Sequence, residues 1–437
     1  MKRALCRPPM TSGMWTTKGP SNLNRYVGRL PRIRRSLPFR SSGLAVMVGL
    51  SGLLATTTGC TSSKEPATTA LATASTTSAP TTTRPTITRN ATIVLVVPAS
   101  GPLAGLGTEA REGLELAIRH ATEDGRLPAD MNVRIRVLDE SARNFSRAVD
   151  RAVRGEDVVA ITGGLLESTE DVLAPLARRR KIALFTFTWR EGKEPAASVR
   201  VGPSRSSLAD EAARYIVAAN PNVASIALIA TPGAAGSVTM RDAIAAKMAP
   251  VDAASPSGPV VTTNSPADTT LLEQVPLIVT GDGDASFERY ARLRFAPSAE
   301  PPSLVVPGDA LGCRAAPAGL AEGTRCVSRG SWNGPGRVAI AFREDTAAAA
   351  ITPSWATVVA YDAGTLVARI AGPAALPRSG APKDLRAALL KAKTAPMFTA
   401  FNGVSGRLNP GEGFIDNAQV LRAEGGAWVA DILGANG

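Results

Sequence analysis

The residues best suited to chemistry in this 437-residue chain are few: one histidine, His120, and four cysteines, Cys6, Cys60, Cys313 and Cys326. One histidine leaves almost nothing from which to build a Ser-His-Asp arrangement or a His-rich metal site. His120 stands beside Arg119 at the end of a helical pattern, where a solvated histidine facing the helix C-terminus is expected. The sequence contains no G-x-S-x-G elbow, no G-x-x-x-x-G-K phosphate loop and no H-E-x-x-H pair. Asp282-Gly283-Asp284 opens like a calcium loop but lacks its glycine at position six and its glutamate at position twelve. The expectation is a protein that binds rather than one that catalyses, with no cofactor and no metal.

Charge points away from nucleic acid once it is located. The chain carries 49 Lys+Arg against 37 Asp+Glu, but ten of the basic residues and none of the acidic ones precede Cys60. From Cys60 onward 39 basic residues face 37 acidic ones, so the basic balance belongs to a leader and no electrostatic case for DNA or RNA remains. Aromatics at 4% argue equally against a base-stacking platform.

Within that leader, Gly43–Ala55 is an uncharged apolar run of 13 residues. A bilayer core of roughly 30 Å needs a longer helix, so this run suits the core of a signal peptide, with Arg32, Arg34, Arg35 and Arg40 on its cytoplasmic side. It ends in Thr57-Thr58-Gly59-Cys60, which resembles the lipobox of bacterial lipoproteins, with Thr57 where leucine is usual. That resemblance implies a diacylglyceryl group on Cys60 as the first residue of the mature chain; an ordinary secreted protein or an uncleaved anchor is the alternative. In residues 61–90, 18 of 30 are Thr, Ser or Pro, too polar to offset the entropy of ordering, so a disordered tether is expected. Cys6 then leaves with the leader and Cys60 is the anchor. Cys313 and Cys326 remain as a pair in an oxidising compartment, expected to form a disulfide worth ~3 kcal/mol. Zinc lacks the further cysteines or nearby histidine it would need.

From residue 91 the pattern alternates strand and helix. Strands are expected at Ile93–Val97, Val133–Leu138, Val158–Thr162 and Ile182–Phe187, with helices at Thr108–His120, Ala142–Val153 and Thr169–Arg179. A second series runs helix Leu208–Ala219, strand Ser225–Ala230, helix Ala235–Met248, strand Leu277–Thr280, helix Phe287–Leu293 and strand Leu304–Val306. Continuous apolar strands such as IVLVV belong to parallel sheets covered on both faces, and two such series indicate two doubly wound α/β lobes. In such sheets ligands bind outside the carboxyl ends of the strands, which directs attention to the loops there.

Those loops carry a resemblance. IVLVVPASGPLAGLGTEAREG at 93–113, Val158–Gly163, Ala174-Pro175-Leu176-Ala177, Val201-Gly202-Pro203-Ser204, Tyr361-Asp362-Ala363 and Phe401–Gly406 follow the order of motifs in type I periplasmic solute-binding proteins, the leucine/isoleucine/valine-binding group. The resemblance covers 91–432 and implies a Venus-flytrap: two lobes joined by three crossovers, closing over a solute. By that analogy residues 1–59 are the leader and 60–90 the lipidated cysteine and linker. Residues 91–204 with 331–400 form lobe 1, and 205–330 with 401–437 form lobe 2.

The resemblance also nominates residues. Relatives present hydroxyls and backbone N–H groups to a ligand carboxylate from the loops after the third and fourth strands. Here the third-strand loop offers Ser168 and Thr169, with Leu166 and Glu167 where small serines are usual, and a glutamate there would repel a carboxylate. Ser168 or Thr169 alternatively only caps the helix. The fourth-strand loop keeps hydroxyls at Thr186 and Thr188; Trp189 either walls a pocket or packs, and Arg190 pairs with an anion or sits in solvent. Asp309 falls where relatives meet an amino group, and Ser100 in the first loop is a further candidate. The tyrosine usual in the lobe 2 loop is missing from Thr231–Gly236. The expected protein is a lipid-anchored, extracytoplasmic receptor on the cell membrane that takes a small polar solute, an amino acid or related compound, to an ABC permease. A non-transport lipoprotein, a sensor or protein-binding module with a degenerate pocket, is the alternative.

Overall fold

The computed structural model describes residues 89–188, 198–219, 225–230, 235–248, 260–262, 277–281, 304–307, 313, 323–334, 336–375, 381–392, 401–409, 413–414 and 418–431. The leader, Cys60, the 61–88 part of the expected tether, the 287–293 segment and Asp282-Gly283-Asp284 lie outside these residues. Residues 82–437 cluster as one compact unit.

The first five strands are β1 (Arg89–Val97), β2 (Met131–Asp139), β3 (Val158–Gly163), β4 (Ala183–Thr186) and β5 (Ser198–Arg200). They form one parallel sheet in the order β2-β1-β3-β4-β5. Helices α1 (Ala104–Glu123), α2 (Phe145–Ala152) and α3 (Glu167–Arg180) connect its first four strands. The period of two along β1 divides its side chains between two cores. Ile93, Leu95 and Val97 pack with α1 and with two later helices, α7 (Trp355–Ala375) and α8 (Pro382–Ala392). Val94 and Val96 face the other way, with Val149 of α2 and Leu173 and Leu176 of α3. A sheet covered on both faces needs apolar residues at every position, which is why IVLVV has no alternation.

Helix α4 (Arg205–Ala219) opens a second series: β6 (Ser225–Ala230), α5 (Ala235–Met248), β7 (Val260–Thr262), β8 (Leu277–Gly281), β9 (Leu304–Pro307) and β10 (Arg325–Ser328). Its parallel strands run β10-β9-β8-β6-β7, the same 2-1-3-4-5 order as the first sheet. An antiparallel hairpin, β14 (Gln419–Glu424) and β15 (Ala427–Ala430), extends this sheet beyond β10. The expected class, α/β with doubly wound parallel sheets, is therefore what the chain forms. Short strands such as β5 and β7, three residues each, gave the sequence too little periodicity to register.

The two series are joined by packing as well as by chain. Helix α6 (Arg337–Ala348) contributes Ala339 and Phe342 to a cluster with Leu116 and Ala117 of α1, Trp332, Val358 and Tyr361 of α7, and Leu421 of β14. Helices α1 and α7 approach closely because Gly113 and Gly364 carry no side chain: a Cβ on Gly113 would stand 2.1 Å from Thr357 O. After α8 come β11 (Asn402–Gly403), β12 (Gly406–Asn409) and β13 (Gly413–Phe414), a small sheet of their own. Phe401 and Leu408 bury in the core of the first sheet, and Val404 between them joins the cluster shared by α1, α6, α7 and β14. A disulfide joins Cys313 to Cys326 on β10, across 13 residues.

Candidate functional site

In a 2-1-3-4-5 sheet the strand order reverses between the first and third strands, and a crevice opens there at the carboxyl ends. In the first sheet this places the loops after β1, β2, β3 and β4 together. Gly163 and Gly164 shape the third loop, with φ of +116° and +79°, values that only glycine adopts without strain. A Cβ on Gly163 would stand 2.0 Å from Val96 O. One on Gly164 would lie 3.7 Å from Thr169 Cγ2 and 3.8 Å from Thr186 Oγ1, so the loops after β3 and β4 converge at this glycine.

The sequence candidates fall into distinct settings. Ser100 is exposed, and its hydroxyl donates to Asp139 Oδ2 at 2.5 Å. Ser168 is exposed on α3, whereas Thr169 is buried with its backbone N–H on Leu166 O. Thr186 and Thr188 are buried, and Thr186 Oγ1 accepts the Thr188 N–H at 3.3 Å. Thr169 and Thr186 are thus brought together at Gly164. Trp189, Arg190 and Asp309 lie outside the described residues. The capping role offered to Ser168 or Thr169 goes to neither: the residue at the N-cap of α3 is Leu166, with no side-chain cap bond.

A carboxylate from the end of β2 meets the chain one residue before that N-cap. Glu140, the residue after β2, is 4% exposed, and its Oε1 accepts the Leu165 N–H at 3.2 Å. Burial pushes its carboxyl up to about 7, against the opposing pull of the Thr169 hydroxyl and the backbone groups of Leu165 and Leu166. Its neighbour Asp139 is held below the usual range: the upward push of burial is outweighed by hydrogen bonds from Ser100 and from the Ala99 and Ser141 N–H groups. The sequence reading passed over Glu140. An acidic pair at the carboxyl end of a strand beside the switch point is the signal that would have found it.

Arg329 was also missed. It follows β10, is wholly buried, donates from Nη2 to Phe187 O at 3.0 Å and lies 4.1 Å over the Trp355 ring. Phe187 also donates its N–H to Gly163 O, and Val201 donates to Thr186 O. The fourth-strand loop is therefore gripped by the third-strand loop, by the segment entering α4 and by the segment leaving β10. Arg329 has no sequence pattern around it; only the fold brings Trp355 and Phe187 to it.

The matching place in the second sheet is furnished with hydroxyls. Ser237, in the first turn of α5, donates from Oγ to Thr280 O at 2.7 Å and lies 2.9 Å from Thr280 Oγ1. His120 differs from its expectation: it is partly buried, with Nδ1 3.0 Å from the Tyr361 hydroxyl and Nε2 3.4 Å from Asp345, because α6 and α7 close over the end of α1. Asp362, next to Tyr361 on α7, is fully buried, and burial raises it to about 7 although it accepts the N–H groups of Val404 and Ser405. It pins the turn between β11 and β12. Among the described residues no group of three His, Cys, Asp or Glu could hold a metal ion, and no helix is long and apolar enough to cross a membrane.

Comparison with known proteins agrees with this architecture. A family model described as periplasmic binding protein matches residues 90–269. No curated protein matches the chain. Among solved structures, an ABC transporter substrate-binding protein from Sphaerobacter thermophilus is 17% identical, covers 79% of this chain and 97% of its own, and has a TM-score of 0.60. The leucine binding protein LivK from Thermotoga maritima is 18% identical over 78% of this chain and 98% of its own, with a TM-score of 0.57. The branched-chain amino acid transporter substrate binding protein LivJ from Streptococcus pneumoniae, in complex with isoleucine, is 18% identical over the same shares, with a TM-score of 0.58.

Proposed function

We propose that this chain, which has the type I periplasmic binding protein fold and carries that family's pattern over residues 90–269, is an extracytoplasmic solute receptor. It takes a small polar solute, an amino acid or related compound, and works with an ABC permease. The observation that carries the reading is the convergence of two strand-end loops on Gly164, with Thr169 and Thr186 beside it, at the switch point of a sheet whose topology is repeated in a second one. The first lobe is taken as 91–204 with 331–400, and the second as 205–330 with 401–437. Ser100, Ser168, Thr169, Thr186, Thr188, Trp189 and Asp309 are the proposed solute contacts, with the Ser100 hydroxyl held on Asp139. A solute shifts such a protein toward its closed form only through contacts that differ between the open and closed states, so groups from both lobes must take part.

The leader, Cys60 and the Thr/Ser/Pro tether are proposed to anchor the receptor by lipid on the outer side of the cell membrane. The Cys313–Cys326 disulfide supports an oxidising compartment. The engagement of first-lobe donors by Asp139 and Glu140, together with Leu166 at the N-cap, favours a second reading, a non-transport sensor whose pocket no longer holds a solute.

A thermal-shift screen of the purified protein against amino acids, amides, short peptides and polyols separates the two. At 100 times its Kd a solute stabilises by about 2.7 kcal/mol, a rise of a few degrees. The receptor reading expects a hit that Thr188→Ala weakens at least tenfold. A silent screen on folded protein would leave the sensor reading in possession.

A further inference from the structure

We infer that Glu140 fills, with the protein's own carboxylate, the anion position at the start of α3, so that a solute meets this part of the first lobe with a neutral or cationic group instead of a carboxylate. The inference rests on the receptor reading above and names the class of solute it would take.

Three observations carry it. A helix N-terminus offers unpaired N–H groups and a partial positive charge of about half a unit, so it is a natural seat for one anion. At the start of α3 that seat already has a carboxylate: Oε1 of the buried Glu140 takes the N–H of Leu165, the residue before the N-cap, and Oε2 is buried with no hydrogen-bond partner among the described residues. The Leu166 side chain brings no hydroxyl to compensate. Second, the loop after β1 is engaged in the same way, since Asp139 takes the Ala99 N–H and the Ser100 hydroxyl, the donors that loop would otherwise turn to a solute. Third, the first turn of α3 adds Glu170, which is buried, and begins with Glu167. A solute carboxylate brought here would meet the carboxyl groups of Asp139 and Glu140, with Glu170 in the same first turn, where the Leu165, Ala99 and Ser100 donors are already engaged, a combination that costs more than it returns. An amide, amine or hydroxyl incurs no such repulsion.

The test uses matched pairs that differ only at the carboxyl group, such as leucine and leucinamide, or glutamine and its amide, titrated calorimetrically into the wild-type protein and into Glu140→Gln. The expected result is that the amide of the best pair binds at least tenfold more tightly than the acid, and that Glu140→Gln narrows this preference at least threefold. An acid that binds wild type as tightly as its amide, or a preference untouched by Glu140→Gln, overturns the inference. A second measurement needs no solute and also reports whether the variant is folded. In 15N spectra of wild type the Leu165 and Leu166 amides should move together with a midpoint of about 7, and in Glu140→Gln they should stand still. Asp139 titrates well below that range and so leaves the midpoint to Glu140. Amides that do not move in wild type remove Glu140 from this position and overturn the inference even when a solute is found. Moving amides with no solute bound support the charge assignment and fail only the receptor reading.

Discussion

The third strand of each sheet ends in the same two residues, Thr162-Gly163 in β3 and Thr280-Gly281 in β8, yet the two strand ends are furnished differently. After β3 a buried carboxylate from the end of β2, two strands away in the sheet, binds the N–H of Leu165 at the start of α3. Beside β8 a serine in the first turn of α5 bonds Thr280 through its hydroxyl, to the Thr280 carbonyl and hydroxyl oxygens. Among the described residues, one topology thus presents a buried carboxylate at one strand end and a hydroxyl pair at the other. The difference shows that the fold fixes where a ligand can sit, while the loops decide what it can be.

The comparison can be broken most severely at Gly163. Gly163→Val forces a β-branched side chain to a φ of +116° and against Val96 O, and the loss should exceed about 3 kcal/mol in urea unfolding. A loss under about 1 kcal/mol would mean that the loop after β3 is not built as described. On the other side, reducing the Cys313–Cys326 bridge, or replacing both cysteines by serine, should lower stability by about 3 kcal/mol, because its span is short. Equal stability with and without reductant would place the second lobe's cohesion elsewhere.

The carboxylate end should also show itself by pH. Glu140 and Asp362 ionise in the unfolded chain at ordinary values, 4.5 and 3.8, but in the folded chain only at about 7. Between those limits the folded protein holds more protons, so stability is complete below pH 4 and falls as pH rises to about 7. The slope is about 1.4 kcal/mol per pH unit for each group at most. Glu140→Gln and Asp362→Asn should each remove one group's share of the slope, and a flat wild-type profile from pH 4 to 7 would contradict both assignments. The smallest effect belongs to the hydroxyl pair: Ser237→Ala should cost about 1 kcal/mol, with no change in that pH profile. A pH-dependent cost there would erase the distinction between the two ends.

Much of this architecture was legible in the sequence. Continuous apolar runs announced β1, β3 and β6, since a parallel strand covered on both faces leaves no polar positions, and two βα series announced two doubly wound sheets, whereas their 2-1-3-4-5 order came only from the structure. The site was legible only in part. Thr186 and Thr188 could be nominated from the loop after β4, but the grip of Glu140 on Leu165 spans 25 residues and depends on how two loops meet. Arg329 reaches Phe187 across 142 residues, a contact that no local pattern encodes. The burial of His120 was misjudged for the same reason, because the helices that cover it come more than 200 residues later.

The central claim, a two-lobed receptor that closes on a solute, is tested most directly by small-angle X-ray scattering with and without the solute that stabilises the protein most. The account predicts that saturation contracts the radius of gyration, and that Thr188→Ala removes the contraction at the same solute concentration. A scattering profile that stays unchanged while calorimetry shows the solute bound would contradict closure, and with it the receptor reading.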